Sequence, residues 1–337
     1  MTSPRENTRR PGFTLVELLV TVGIISVLVG LTLPAVQSAR EAARRARCAD
    51  RQRQLIQAVH AFEAAHNGLP SAATDHIPLH LAPGWFVRGS IFVALLPHLE
   101  QVALSQALNF EVPAVDLVPP ANVTAATRTL DVLLCPSDPY TDADPYGCTN
   151  VRANVGLNEH RRVPSIRGGV SMELIDTGPF SQNGLLRRVS EIRDGLSNTL
   201  AFSEKSVGSG GGRFDPSRDW ISVIGRYNYE ASADEWIGLC SGLGPESTAQ
   251  GQTNGGRAWL LDLPVYSAFF PSVPPNSPVP DCSLGPYQGI RAARSGHPGG
   301  VNAAMADGSV RWFADSIDQQ TWRALGTRSG GEPVTFE

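Results

Sequence analysis

The feature that most constrains this chain is an apolar run over residues 13–36, in which Glu17 is the only ionisable side chain. At about 1.5 Å per residue a helix of this length spans roughly 36 Å, enough to cross a hydrocarbon core of about 30 Å. A polar leader, residues 1–12, precedes the run and carries three arginines against one glutamate. The run therefore predicts a single-pass membrane anchor behind a short leader.

The order of these segments argues against a secretory signal peptide. Such a signal has an apolar core of roughly 7–15 residues, with small residues at a cleavage site behind it. Here the small residue, Gly12, stands in front of the apolar run, and a helical pattern continues through residues 38–43 without an Ala-x-Ala-like site. Cleavage at Gly12 would remove the leader and leave the anchor in place.

Glu17 is the unusual residue of the run. A carboxylate at the bilayer centre costs about 2.5–3.5 kcal/mol on insertion scales, so it needs a partner. The nearest candidate is an α-amine freed at Phe13 by cleavage, in the same chain or in an axially shifted neighbour. A plain signal anchor with a tolerated acid near its end is the alternative.

Residues 12–17, Gly-Phe-Thr-Leu-Val-Glu, resemble the class III leader of type IV pilins and type II secretion pseudopilins. The resemblance implies that a membrane prepilin peptidase cuts after Gly12 and methylates Phe13. It also implies that Glu17 pairs with the N-terminus of the adjoining subunit. Pro34 stands where many pilins carry a helix-bending proline, and it removes one intrahelical hydrogen bond.

The same resemblance implies the partners and the location. The partners are prepilin peptidase, other pilin-like subunits, a secretion or pilus assembly machinery and membrane lipid. The location is the bacterial cytoplasmic membrane, with the C-terminal domain on the extracytoplasmic side. Charge alone favours the reverse topology, because residues 40–53 carry more arginines than the leader. We follow the motif, because cleavage requires Gly12 on the cytoplasmic face.

The apolar periodicity predicts how the helix continues. Residues 37–66 extend it beyond the membrane, and Cys48, Leu55, Val59 and Phe62 fall on one helical face. A stop is expected at 67–68, where Asn-Gly precedes Pro70. We therefore divide the chain into a leader (1–12), a membrane half (13–36) and an exposed amphipathic half of one helix (37–66).

The rest of the chain is predicted to be β-rich. Residues 67–110 read as a loop and a second helix that Ser90 can cap, and residues 111–337 as a β-rich exported domain. The 33 glycines and 26 prolines of the chain, with few long periodic runs after residue 110, support this. The predicted fold class is α+β, a long N-terminal helix packed on a mainly antiparallel domain. A net charge of −4 gives no basic field for nucleic acid, so no such partner is expected.

The five cysteines predict disulfides rather than a zinc ribbon or thioredoxin-like chemistry, since no C-x-x-C is present. In an exported domain the economical pairings are Cys135–Cys148 and Cys240–Cys282, which leave Cys48 free on the helix.

Three aspartates between Cys135 and Cys148 are the calcium candidate: Asp138, Asp142 and Asp144. Their spacing fits no EF-hand and no bidentate glutamate follows, so ordinary turn formation is favoured over calcium. No other cofactor is predicted.

A second signature lies near the C-terminus: His297, nine residues, then Asp307-Gly308. The pattern predicts two strands, 301–306 and 309–313, joined by a two-residue type I′ turn. His297 and Asp307 would then lie roughly 25 Å apart at opposite ends of one strand, which favours structural roles over a catalytic pair.

This signature resembles the H-x9-DG region of the DUF1559 proteins, a pilin-like family of unknown function. Three further stretches look like the same family: residues 40–45, Arg-Glu-Ala-Ala-Arg-Arg; residues 135–138, which include Cys135 and Asp138; and residues 194–199, which include Asp194, Gly195 and Asn198.

Three functions are compatible with these patterns. The first is a pilin-like or pseudopilin subunit, which is not an enzyme but a substrate of the peptidase. The second is an extracytoplasmic binding module, for glycan or another envelope ligand, that uses the leader only as an anchor. The third is a membrane-anchored hydrolase, which the sequence favours least because no nucleophile–base or metal constellation stands out.

Overall fold

The computed structural model describes residues 13–74, 89–109, 120–138, 145–157, 159–165, 169–175, 177–182, 184–211, 214–223, 232–244, 250–284 and 288–332. The chain forms two compact units, and the boundary between them falls between Ala43 and Arg44, inside the long N-terminal helix.

Within the described residues the α-helices are α1 (Leu15–His66), α2 (Ile91–Leu95), α3 (Val102–Ala107), α4 (Val123–Ala126), α5 (Ala233–Ser241), α6 (Pro264–Ser267) and α7 (Gln319–Gly326). The strands are β1 (Ala73–Thr74), β2 (Gly89–Ser90), β3 (Val151–Asn154), β4 (Glu159–Ser165), β5 (Gly169–Ile175), β6 (Leu200–Glu204), β7 (Trp220–Ser222), β8 (Gln250–Gln252), β9 (Ala268–Phe269), β10 (Asp281–Leu284), β11 (Gln288–Ile290), β12 (Gly300–Met305) and β13 (Val310–Ala314). Short 3-10 turns cover Leu96–Leu99, Pro120–Asn122, Asp131–Leu133, Val189–Glu191 and Leu196–Asn198.

The second unit is built on two main sheets. One has five strands in the order β13-β12-β6-β3-β9, and the other has four in the order β11-β10-β7-β8. Two-stranded ribbons, β1-β2 and β4-β5, complete the described pairings. Only the β3–β9 and β7–β10 pairs among them are parallel. The predicted α+β class with mainly antiparallel pairing is confirmed.

The five-stranded sheet separates two apolar cores, because successive side chains of a strand point to opposite faces. Phe202 of β6 and Ala304 of β12 join Leu55 and Ile56 of α1 on one face. On the other face, Ala303 and Met305, the strand neighbours of Ala304, pack with Trp322 of α7. The sheet therefore lies between the outer part of α1 and the C-terminal helix.

The predicted helical face of α1 is confirmed. Cys48, Leu55, Val59 and Phe62 are all buried. The helix ends at the predicted place, since Asn67 has a φ of 57° and its N–H donates to the Glu63 carbonyl at 2.8 Å. This left-handed residue is a common way to end a helix.

The second helix begins as predicted but is shorter. The Ser90 hydroxyl accepts a hydrogen bond from the Phe92 N–H, which caps α2. Pro97 then falls in a 3-10 turn, and Glu100 ends it with a φ of 59°. Because proline lacks an N–H and clashes with the preceding turn, the expected single helix becomes α2, the 3-10 turn and α3.

The turn between β12 and β13 differs from the predicted type I′ form. The Gly308 N–H donates to the Met305 carbonyl at 3.1 Å, and the Met305 N–H donates to the Ser309 carbonyl at 2.8 Å. Gly308 has a φ of 93°, whereas Asp307 is not among the positive-φ residues. The connection is therefore a three-residue loop, a type I turn followed by a glycine bulge.

Candidate functional site

The N-terminal helix segment presents an unbroken apolar surface. Every large apolar side chain from Phe13 to Val36 is exposed, with exposed fractions from 47% to 74%. The segment is long and apolar enough to cross a membrane. Helix α1 is continuous from Leu15 to His66, and Pro34 lies inside it without ending it. Gly12 lies outside the described residues.

Glu17 closes the first turn of this helix. Its carboxylate accepts hydrogen bonds from the Thr14 N–H at 2.9 Å and the Thr14 hydroxyl at 2.7 Å. The Glu17 N–H donates in return to Thr14 Oγ1 at 3.3 Å. This reciprocal arrangement is a capping box. The sequence carries the signature of this motif, Thr-x-x-Glu ahead of an apolar run.

A buried polar cluster lies in the second unit: Cys48 of α1, Cys135, Glu204 at the end of β6, and His297 ahead of β12. Their donor atoms all lie within 4.8 Å of one another. His297 Nε2 is 3.3 Å from Cys135 Sγ and 3.4 Å from Glu204 Oε1. Cys48 and Cys135 form a disulfide, with Cα atoms 4.9 Å apart. We call these four residues the Cys-Glu-His cluster.

Hydrogen bonds fix the orientation of the cluster. The Asn302 N–H and its Nδ2 donate to the two Glu204 carboxylate oxygens at 2.8 and 2.9 Å. Gln52, one turn along α1 from Cys48, donates to the Asn302 carbonyl at 2.9 Å. The Cys135 N–H donates to Asn150 Oδ1 at 2.7 Å. The helix, the sheet and the cysteine loop are thus joined around one point.

The structure contains two disulfides, of which one differs from the predicted pairing and one agrees with it. Cys135 pairs with Cys48, not with Cys148, which is a buried thiol outside the two disulfides. The packing of α1 against the sheet explains this, because it brings Cys48 to Cys135, whereas Cys148 packs against Leu134 and Val207. The predicted Cys240–Cys282 bond is present and links α5 to β10.

Asp138 is a structural residue in the described part of the chain. Its carboxylate pairs with Arg218 and accepts from the Val207 N–H at 2.8 Å and from Asn150 Nδ2 at 3.3 Å. Burial raises the pKa of Asp138 despite these partners. Three donors already occupy this carboxylate, which leaves it poorly placed for calcium. Asp142 and Asp144 lie outside the described residues.

The other motif residues form a second contact zone. The Asp307 N–H donates to the Leu196 carbonyl at 3.1 Å, so the hairpin turn rests on the 194–199 segment. Asp307 is an exposed turn residue, as predicted, and its Oδ1 accepts from the Ser309 N–H at 2.9 Å. The Asp194 carboxylate accepts from the backbone of Gly330 and Gly331.

Two residues of the same segment shape its turn. Gly195 has a φ of 94°, and Asn198 Nδ2 donates to the Asp194 carbonyl at 3.2 Å. His297 and Asp307 therefore belong to two different clusters, and the expectation that they do not act as a pair agrees with this placement.

Residues 37–320 match the model of a protein family of unknown function, DUF1559. The chain belongs to the DUF1559 family. Residues 7–33 of this DUF1559 protein match the prokaryotic N-terminal methylation motif, which marks a pilin-like protein of the kind that prepilin peptidase processes. Comparison with curated proteins and with solved structures finds no match.

Sequence reasoning missed the charged residues behind the cluster. Lys205, the only lysine of the chain, is buried and pairs with Asp281 at 2.8 Å, and Arg294 pairs with the same carboxylate at 3.1 Å. Burial lowers the pKa of Lys205 to about 8, against the opposing effect of Asp281. The one available signal was the position of Glu204 and Lys205 directly after an apolar strand.

Proposed function

We propose that this DUF1559 protein is a membrane-anchored pilin-like subunit, a pseudopilin, in a type II secretion or type IV pilus-like system. Prepilin peptidase cleaves it after Gly12 and methylates Phe13, and the mature subunit assembles with its neighbours through the apolar half of α1. Its role is structural rather than enzymatic.

The observation that carries the proposal is the exposed apolar surface of α1. A soluble protein rarely leaves so large an apolar patch uncovered. Lipid covers such a surface before assembly, and neighbouring helices of the same kind cover it afterwards. The segment carries one acid at its first turn, Glu17, and the methylation motif covers residues 7–33.

The two disulfides support an extracytoplasmic location for the second unit. Disulfides form and persist in oxidising compartments and are rare in the cytosol. Cys48–Cys135 and Cys240–Cys282 both lie beyond the apolar segment. They oppose the reverse topology that the arginines of residues 40–53 favour, and they agree with a leader that faces the cytoplasm.

Glu17 has two successive partners in this proposal. In the single chain it accepts hydrogen bonds from Thr14. After cleavage it pairs with the Phe13 amine of the adjoining subunit, whose positive charge satisfies the carboxylate in a low-dielectric medium better than a neutral donor does. The exchange of partners favours assembly over the isolated subunit.

Intact-mass spectrometry of the full chain, co-expressed with a prepilin peptidase, tests the processing step. We expect a product that lacks residues 1–12 and carries the mass of one added methyl group. Gly12→Val should block cleavage, while Gly23→Ala should not, because no atom lies within 4 Å of a Cβ at that position. An uncleaved chain, or cleavage at another residue, would contradict the proposal.

A further inference from the structure

We propose that the Cys-Glu-His cluster is a metal site when its disulfide is open. Cys48, Cys135, Glu204 and His297 would then bind one divalent ion of the zinc class, each through one donor atom. The inference concerns the second unit alone and does not depend on the assembly role.

The geometry of the donor atoms fits such an ion. A tetrahedral zinc ion lies about 2.3 Å from sulfur and about 2.0–2.1 Å from nitrogen or oxygen, which places the donors roughly 3.3–3.8 Å apart. Cys135 Sγ and Glu204 Oε1 lie 3.3 and 3.4 Å from His297 Nε2, at the lengths of two edges of that tetrahedron. The two sulfurs, now bonded to each other, have to move apart, and the other donor atoms, which lie within 4.8 Å of one another, need shifts of at most about 1.5 Å to reach the same range.

The donor set selects the class of ion. Two thiolates, an imidazole and a carboxylate suit zinc and its neighbours, whereas calcium and magnesium require oxygen ligands. All four residues are buried, with exposed fractions of 2%, 5%, 2% and 3% in the order Cys48, Cys135, Glu204 and His297. A buried set of four protein ligands is typical of a structural site rather than a catalytic one with an open position.

Residues around the cluster orient the four proposed ligands by hydrogen bonds and packing, as in known metal sites. Ligating carboxylates and histidines are oriented by outer hydrogen bonds. Asn302 gives Glu204 two such bonds, and Asn150 holds the backbone of Cys135. The His297 N–H of the main chain donates to Ser295 Oγ at 3.1 Å. A Cβ at Gly296 would lie 2.2 Å from the Ser137 carbonyl oxygen, so the loop before His297 packs directly on the cysteine loop.

A phosphine can reduce the Cys48–Cys135 disulfide to the two thiols that the metal site requires, and this reaction is balanced in atoms and electrons. The phosphine takes the oxygen of a water molecule and becomes a phosphine oxide, and the two sulfurs gain two electrons and two protons as thiols. Binding of the metal ion then releases both protons, because thiolate is the ligand form. Disulfide and metal thus serve the same purpose in turn, since each ties α1 to the loop that carries Cys135.

Cobalt(II) is the probe, because its absorption spectrum reports both tetrahedral geometry and thiolate ligands. The full chain in detergent is reduced with a phosphine under nitrogen and titrated with cobalt chloride. We expect one ion per chain, with tetrahedral bands and a thiolate charge-transfer band, and no such bands for the oxidised protein. A reduced protein without these bands overturns the proposal.

Variants identify the ligands. His297→Ala should weaken binding by more than the roughly 10–100-fold that loss of an outer partner costs, and Asn302→Leu should fall in that lower range. His66→Ala and Cys148→Ser are the matched controls and should bind cobalt as the parent does. Unchanged binding in His297→Ala, or loss of binding in Cys148→Ser, contradicts the assignment. If His297→Ala does not fold, the cadmium-113 NMR shift of the reduced parent protein tests the ligand set instead. We expect a shift that indicates two sulfur donors. A shift that indicates only oxygen donors, or four sulfur donors, overturns the site.

Discussion

His297 Nε2 lies 3.3 Å from Cys135 Sγ, although 162 residues separate them in the chain. His297 is the first residue of the C-terminal H-x9-DG signature, and Cys135 is the first residue of the Cys-Pro-Ser-Asp stretch. Their contact lies beside the disulfide that Cys135 makes with Cys48 of α1. The family motifs therefore meet where the helix is attached to the sheet.

The first prediction concerns this attachment. Peptide mapping of the unreduced chain should find Cys135 linked to Cys48, with Cys148 as the one thiol outside the disulfides. Cys48→Ser should lower the free energy of unfolding by about 4–5 kcal/mol at 25 °C, because the bond closes a loop between positions 87 residues apart. Chemical denaturation of the full chain in detergent, followed by tryptophan fluorescence, gives the value.

Cys148→Ser is the control for this measurement. It removes a thiol without removing a cross-link, so its unfolding free energy should fall much less. A Cys135–Cys148 peptide in the map would refute the packing of α1 described above.

The second prediction concerns Asp281, which is buried between Lys205 and Arg294. Burial raises the pKa of this carboxyl, but the two cations outweigh burial and hold the pKa below its ordinary value of 3.8. A lowered acid pKa stabilises the fold above the unfolded value and loses that effect as the pH falls through the folded value. Asp281→Asn should cost about 3–5 kcal/mol at pH 7, because two buried cations lose their partner.

The pH dependence separates this effect from a simple loss of packing. The difference in unfolding free energy between the parent and Asp281→Asn should shrink as the pH is lowered from 7 to below 3.8. Asp131→Asn, at an exposed position, should show little difference at either pH. A difference that stays constant with pH would contradict the electrostatic explanation.

The third prediction tests the hairpin turn. Gly308 has a φ of 93°, and the nearest atom to an added Cβ is His60 Nε2 at 3.7 Å, so Gly308→Ala introduces backbone strain without a clash. The expected loss of unfolding free energy is about 1–2 kcal/mol. Gly238→Ala, inside α5 and exposed, is the matched control and should stabilise the protein by up to about 1 kcal/mol. Equal effects of the two variants would mean that Gly308 has no special conformation.

Local patterns predicted the parts of the fold that depend on near neighbours. The face of α1 and its end at Asn67 follow from apolar spacing and from a residue that tolerates positive φ. The hairpin strands followed from alternation, but Asp-Gly fits both a type I′ turn and a type I turn with a glycine bulge. The choice depends on the contact of the turn with Leu196, which the local sequence does not contain.

Long-range features were beyond the same reasoning. The apolar and arginine-rich run at residues 184–189 is typical of a strand, but Leu185 and Leu186 are exposed, and in the described part of the chain this run forms an isolated bridge at Arg187, with Leu69. The partner of Cys135 and the neighbours of His297 depend on how α1 lies on the sheet. Sequence spacing favours near cysteines such as Cys148, since it does not encode that packing.

Assembly through the apolar half of α1 is tested most directly by cysteine cross-linking in membranes. In a Cys148→Ser background, Ser26→Cys places a thiol on the exposed apolar surface, and oxidation should yield covalent dimers of the processed chain. Glu17→Gln should leave processing and membrane insertion intact but reduce the dimer yield at least about tenfold, the effect of roughly 1.4 kcal/mol of lost pairing, while Glu63→Gln should not. Equal dimer yields with and without the Glu17 carboxylate would contradict assembly through this residue and favour a helix that serves only as an anchor.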